Sequence, residues 1–247
     1  MSSTRIEVTG VPIDNIDMAG AVSYAEQMIQ QGEQCRIFAM NPEKAIAARE
    51  NPELYSCLSS AELLIPDGIG VIWASRLNGV NFKERVPGSE LMPKLCEMAA
   101  KNGYGVFLFG AKEEVNEQAA ARLVESYPGL KIAGRQNGYV SEQETPALIE
   151  KINASGAQLL FVALGSPKQE YWMHNNKDQL NVLVMQGVGG TFDVLAGNVK
   201  RAPKLWRAIH LEWLYRLLSQ PQRFIRQSRL PAYVWLVVGG RLGLVKT

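Results

Sequence analysis

Asp67 lies in Ile65-Pro-Asp-Gly-Ile-Gly70, between an apolar run and the start of a helical pattern. A carboxylate at the end of a strand can take the proton from an attacking hydroxyl. It can equally cap the helix that follows, and the residues alone leave both readings open. Arg85, in Lys83-Glu-Arg-Val-Pro-Gly88, offers a guanidinium suited to bidentate phosphate contact and to steadying a departing diphosphate, or it is simply a solvated loop charge. Gly187-Val-Gly-Gly-Thr-Phe-Asp193 is the strongest segment, with three glycines in four positions after a buried strand. Ordering them is costly, so close approach of the backbone to a diphosphate or a uracil ring explains them better than flexibility does. Packing of the glycines between strand and helix is the alternative.

Two further turns could border the same place. Phe107-Leu-Phe-Gly-Ala111 runs from a strand into a helix at Lys112, where Gly110 and Ala111 would admit a phosphate or ribose close to the backbone, or simply form a tight turn. Gly165-Ser-Pro-Lys-Gln-Glu170 follows another apolar strand, and Ser166 before Pro167 is a natural helix start. Gly165, Ser166, Lys168 and Gln169 would then stand at the mouth of a pocket. A metal centre has no evident ligands: D-x-D is absent, the three cysteines are far apart, and His174 and His210 are badly placed as a pair. His174 reads as a helix-surface or satisfied core residue.

These residues need elements to hold them. Apolar runs at 36–39, 63–65, 105–109, 131–133, 159–163 and 182–186 read as strands. Helical spacing fills 18–30, 42–59, 69–77, 89–102, 112–126, 142–154 and 167–176. The alternation predicts an α/β fold: a Rossmann-like, mostly parallel sheet with helices on both faces. Ligands in such sheets bind beyond the carboxyl ends of the strands, where Asn41, Asp67, Gly110, Gly165 and the 187–191 segment all fall. From Lys204 the chain reads as helices only, with breaks at Pro221 and Pro231. We therefore expect a core over 1–197 and a C-terminal helical appendage over 198–247.

Charge divides the chain at the same place. Residues 198–247 hold ten Lys/Arg against one acid, Glu212, whereas 1–197 hold sixteen against twenty-three, so a basic tail follows an acidic body. Arg216, Arg223, Arg226 and Arg229 interleave with Trp206, Trp213, Tyr215, Phe224 and Trp235, a mixture suited to an anionic membrane surface. No nucleic-acid motif supports the rival partner. The longest apolar run near the C-terminus, from Tyr233 to Gly240, is far shorter than the roughly 20 residues a spanning helix needs. Neither that run nor the N-terminus, which lacks the apolar core of a signal peptide, leads us to expect a membrane crossing. The odd cysteine count fits a reducing cytoplasm. Exposed aromatics in the appendage would favour a homo-oligomer where lipid is absent.

Taken together, the segments resemble the WecG/TagA/CpsF glycosyltransferases, glycosyltransferase family 26. The resemblance runs from Gly10 to about Leu230 and is carried by Asn41-Pro-Glu-Lys44, Pro66-Asp-Gly-Ile-Gly70, Arg85-Val-Pro-Gly88, Gly165-Ser-Pro-Lys-Gln-Glu170, Gly187-Val-Gly-Gly-Thr-Phe-Asp193, Val199-Lys-Arg-Ala-Pro-Lys204 and Leu211-Glu-Trp-Leu-Tyr-Arg216. Some members have Thr two residues before the Asn, where this chain has Ala39. The resemblance implies inverting, metal-independent transfer with no cofactor, at the cytoplasmic face of the membrane, by a peripheral protein. An N-acetylmannosamine-type sugar would pass from a UDP donor to undecaprenyl-diphosphate-linked N-acetylglucosamine, for wall teichoic acid or another surface polysaccharide. The uronic acid UDP-ManNAcA and UDP-glucose remain alternative donors. By motif, Asp67 becomes the general base and Arg85 the diphosphate contact, with Asn41 and Gln169 as polar pocket residues. Gly187, Gly189, Gly190, Thr191 and Asp193 line the UDP site, and Arg216, Arg223 and Arg226 complete the pocket and meet the membrane. An NAD-dependent oxidoreductase would need a dinucleotide fingerprint that the turns lack. A non-enzymatic basic membrane- or RNA-binding module would leave the glycine segment and Asp67 unexplained.

Overall fold

Runs such as Leu159-Leu-Phe-Val-Ala163 are apolar on both faces, which only a strand covered on both sides can satisfy. The computed structural model describes residues 4–199, 202–203, 206, 212–219, 228–242 and 244. In it, six such runs form one parallel sheet: β3 (Cys35–Met40), β4 (Leu63–Pro66), β5 (Gly105–Gly110), β6 (Lys131–Gln136), β7 (Leu159–Ala163) and β8 (Val184–Gly187). Their order is β4-β3-β8-β7-β5-β6. Side chains alternate between two cores. Phe38, Met40, Leu64, Phe107, Phe109, Leu160 and Met185 face one way. Ile37, Leu63, Ile65, Leu108, Leu159, Phe161 and Val184 face the other.

Helices cover both faces, as expected. On the first lie α2 (Pro42–Glu50), α3 (Pro52–Ser59), α4 (Ile69–Leu77), α7 (Thr145–Ala154) and α8 (Lys168–Asn176). On the second lie α1 (Met18–Gln31), α5 (Gly88–Asn102), α6 (Glu113–Ser126) and the short α9 (Thr191–Leu195). The single helix expected over 42–59 is two. Asn51 ends α2 and its side chain then caps α3 by accepting from Leu54 N at 3.1 Å, with Pro52 opening the new helix. The start expected at Pro167 moves to Lys168, with Pro167, rather than Ser166, in the cap position.

An antiparallel hairpin, β1 (Arg5–Val8) with β2 (Val11–Asp14), precedes the sheet and was not expected. Its turn is Thr9-Gly10, both at positive φ, which matches the twist of the paired strands. Asp14 ties the hairpin to the sheet edge, accepting from Leu64 N at 2.7 Å and pairing with Arg5 at 3.1 Å.

Beyond α9, two helices fall among the described residues, α10 (Glu212–Ser219) and α11 (Leu230–Arg241). In the α10 region the Trp206 and Tyr215 rings pack with centroids 5.8 Å apart. Helix α11 returns to the first face of the core, where Tyr233, Leu236 and Val237 are buried with residues of α2 and α4. Pro231 sits in its first turn, so the break expected there is the start of this helix, while the break expected at Pro221 lies outside the described residues. No helix among the described residues is long and apolar enough to cross a membrane.

Candidate functional site

The carboxyl ends of β4, β3, β8 and β7 stand side by side, and each carries one of the expected segments. Asp67 follows β4, Asn41 follows β3, Gly187–Gly190 close β8, and Gly165-Ser166 follow β7. Neighbouring strands are about 4.8 Å apart, so Asp67 and the glycine turn, two strands away, are roughly 10 Å from each other. Gly110-Ala111 at the end of β5 lie four strands from β4, roughly 19 Å away by the same spacing.

Asp67 is not a helix cap. The cap of α4 is Gly68, at φ 95°, with no side chain bonded to the helix. The Asp67 carboxylate instead reaches across to the first turn of α5, where Oδ2 accepts from Gly88 N at 3.2 Å. A carboxylate is favourably placed at the N-terminus of a fifteen-residue helix, because the unpaired amides and the dipole both point at it. The same segment carries Arg85, and Val86 N bonds to Pro66 O at 2.8 Å, which holds the arginine loop beside the strand that ends in Asp67. Arg85 is half-buried, and none of the described residues pairs with it. A guanidinium held near the mouth without a protein carboxylate can meet a ligand's negative charge.

Asn41 has a structural duty, since its Oδ1 accepts from Lys44 N at 2.9 Å and so caps α2. The helices α2, α4, α5 and α8 all begin at this edge of the sheet, so their N-termini supply positive potential there.

Gln169 turns inward rather than toward the mouth. It is 4 % exposed, its Oε1 accepts from Gly189 N at 3.0 Å, and its Nε2 donates to Glu170 Oε1 at 3.1 Å. Glu170, fully buried, also takes Lys44 Nζ at 2.7 Å, so an ion pair joins the first turns of α2 and α8. Gln169 thereby clamps the glycine turn. Gly187 is glycine for packing, because a Cβ there would stand 2.6 Å from Gln169 Nε2. Gly189, at φ 52°, is glycine for its conformation, with open space where a Cβ would project. Gly190 is exposed and Asp193 half-buried, while Thr191 is buried with its hydroxyl donated to Val188 O at 2.6 Å. The packing reading therefore holds at Gly187, and Gly189 is glycine for its backbone conformation.

At β5 the packing explanation suffices. A Cβ on Gly110 would meet the Ala163 backbone at 2.5 Å. Ala111, at φ 57°, donates its amide to Ala163 O at 3.0 Å and accepts from Gly138 N at 2.8 Å. Gly165, at φ 77°, has open space around it, Ser166 is half-buried, and Lys168 is exposed. His174 is engaged far from this edge, its Nδ1 lying 2.9 Å from Arg36 Nη1 at the start of β3. Among the appendage arginines, Arg216 falls within α10, and Arg223 and Arg226 lie outside the described residues.

Residue reasoning missed Gln186, Gly88, Lys44 and Glu170 as parts of the site. Gln186 Nε2 donates at 2.9 Å to the carbonyl of Gly88, the residue whose N–H holds Asp67. A polar residue closing the apolar run Leu183-Val-Met-Gln186 was the available signal.

The geometry is that of a carboxylate, a guanidinium with no partner among the described residues and a glycine turn at the carboxyl edge of a doubly covered parallel sheet, an arrangement suited to group transfer from a phosphorylated donor. Comparison with known proteins agrees. A relative from Bacillus spizizenii (strain ATCC 23059 / NRRL B-14472 / W23), an N-acetylglucosaminyldiphosphoundecaprenol N-acetyl-beta-D-mannosaminyltransferase, is 39% identical over 233 residues, covering 92% of this chain and 90% of its own. With residues 6–246 matching the family's profile from hairpin to C-terminal helix, the chain belongs to the WecG/TagA/CpsF glycosyl transferase family.

Proposed function

We propose that this protein transfers N-acetylmannosamine from UDP to the N-acetylglucosamine of an undecaprenyl-diphosphate-linked acceptor, with inversion. The observation that carries the reading is Asp67, fixed at the N-terminus of α5 by Gly88 N with Arg85 three residues before that glycine. The acceptor hydroxyl attacks C1 of the sugar on the face opposite UDP, and Asp67 takes its proton. The bond from C1 to the diphosphate oxygen breaks, and its electron pair leaves with UDP. Arg85 and the converging helix N-termini offset the charge that develops on the departing diphosphate. The glycine turn, held by Gln169, borders the nucleotide. We assign the charge-neutralising task to these groups and not to a metal ion, and no cofactor takes part. The donor is supported by the Bacillus relative, whose name specifies a mannosaminyl transfer.

The protein works peripherally at the cytoplasmic face of the membrane, where the nucleotide donor and the lipid-linked acceptor meet. Support comes from the basic excess of 198–247 and from exposed aromatic residues, Trp73 at 59% and Trp235 at 62%. The product belongs to teichoic acid or a related surface polymer.

The deciding experiment is turnover with a soluble lipid-diphosphate-GlcNAc analogue and EDTA, offering UDP-ManNAc, UDP-ManNAcA, UDP-GlcNAc and UDP-glucose separately. Transfer from UDP-ManNAc alone, lost in Asp67→Asn while UDP still binds, is the expected result. Transfer from a different donor revises the sugar, a requirement for metal removes the charge assignment, and wild-type turnover by Asp67→Asn removes the base.

A further inference from the structure

Gln186 is a polar side chain in a place built for apolar ones. It lies in β8 with Ile37 of β3 and Phe161 of β7 opposite it in register, and it is 1% exposed. Its Oε1 is buried and finds no hydrogen-bond partner among the described residues. An unsatisfied buried acceptor is destabilising, a cost that a leucine in the same strand would avoid. The amide is only half used, and the half in use points to one place: Nε2 donates to Gly88 O at 2.9 Å.

Gly88 is where the segment meets the base. Its N–H holds Asp67 Oδ2 at 3.2 Å, and a Cβ on it would come within 3.3 Å of the Ala39 Cβ. The first turn of α5 therefore presses against the sheet at β3, bonded to β4 through Asp67 and through Val86 N to Pro66 O, and to β8 through Gln186. Gly88 is thus bonded through its N–H to the carboxylate that follows β4 and through its carbonyl to β8, a strand that does not carry that carboxylate. Gln186 supplies the independent reference.

We propose that Gln186 is a positioning residue for the general base: by fixing Gly88 from β8, it sets where the Asp67 carboxylate stands relative to the glycine turn that closes the same strand. This rests on the reading of Asp67 as the base. Gln186 acts through Gly88, so its effect falls on the chemical step and not on donor binding.

The test is a double-mutant cycle in the full-length protein, with kcat and donor KM measured for wild type, Gln186→Met, Asp67→Asn and the double variant. A displacement of about 1 Å at a reacting group costs about 100-fold, so Gln186→Met should lower kcat by about 10- to 100-fold with donor KM within about twofold. In the Asp67→Asn background the same change should have no further effect on residual turnover. Equal losses in both backgrounds would mean a general packing role and overturn the proposal, as would a wild-type kcat for Gln186→Met. Wild-type turnover by Asp67→Asn would instead remove the base reading itself, so the two failures are distinct. If thermal melting shows that Gln186→Met does not fold, Gln186→Glu repeats the cycle with the shape kept and the amide donor removed, and the same outcomes decide.

Discussion

Replacing Glu170 by leucine takes the acceptor from a lysine that has nowhere else to place its charge. Lys44 is 7% exposed, and its Nζ lies 2.7 Å from Glu170 Oε1. Removing one partner of a buried pair costs about 3–5 kcal/mol, because the remaining charge stays desolvated. A domain of this size has about 5–15 kcal/mol in hand, so the variant loses about a fifth or more of its stability. At roughly 2–4 °C per kcal/mol for chains of this length, the melting temperature should drop by about 6–20 °C. Lys44→Met combined with Glu170→Leu removes both charges and should recover most of that loss. Recovery of stability should not restore activity. Gln169 Nε2 donates to the same Glu170 oxygen, so the double variant leaves the glutamine unanchored and its hold on Gly189 loosened. Urea or thermal unfolding of the four proteins, with donor KM on each folded sample, separates the two effects. The reasoning fails if Glu170→Leu lies within about 1 kcal/mol of wild type. It also fails if the double variant is no more stable than Glu170→Leu alone.

Gly187→Ala and Gly110→Ala should part company. The first meets side chains, Gln169 Nε2 at 2.6 Å and Met173 Cε at 3.2 Å, and should raise donor KM with the smaller loss of melting temperature, whereas the second, at φ 122°, meets the Ala163 backbone and should lose about 1–3 kcal/mol or more of stability. All three thiols are buried; burial pushes Cys57 and Cys96 up to about 12 and raises Cys35 as well. Ellman's reagent at pH 8 should find none in the native protein and all three after denaturation; stoichiometric native labelling would contradict the burial. Burial alone would raise the Glu62 carboxyl, but hydrogen bonds from Arg36 and Lys177 outweigh it and hold the group at about 2. Its contribution to stability is thus present above the ordinary value of 4.5 and lost as pH falls through about 2. Glu62→Gln should be less stable than wild type at neutral pH, and the gap should close on acidification; a gap constant with pH would refute the assignment.

The sheet was legible because its strands are buried on both faces and read as unbroken apolar runs; 159–163 matches β7 to the residue. The hairpin escaped notice although Thr9-Gly10 between apolar residues was a usable turn signal. The two readings of Asp67 could not be separated by local chemistry, since a helix does begin two residues on. What draws the carboxylate away from the α4 cap is the first turn of α5, twenty-one residues later, and that proximity is set by tertiary packing. Gln169 shows the same limit. Its residue type and place in the chain suggested a ligand contact, yet the amide is turned inward by Glu170 and Gly189.

The docking of α11 on α2 and α4 changes how the appendage should be dissected. Ala202 is 2% exposed and Tyr233 3% exposed, so the chain between them is held to the core at both ends. Truncation after Val199 would remove Tyr233, Leu236 and Val237 from the core along with the arginines, a burial worth at most about 9 kcal/mol. Tyr233 also packs beside Gly70, three residues past Asp67, so the cut reaches the helix that follows the base. An inactive truncated enzyme would therefore confound lost lipid contact with a loosened scaffold. Charge reversal at Arg216, Arg223 and Arg226 in the intact chain leaves the buried residues of α11 in place, and vesicle binding measured beside donor KM separates lipid contact from a pocket role. A proteolytic nick between 203 and 228 isolates lipid contact from the other side, since the C-terminal fragment should stay bound to the core and travel with it through gel filtration.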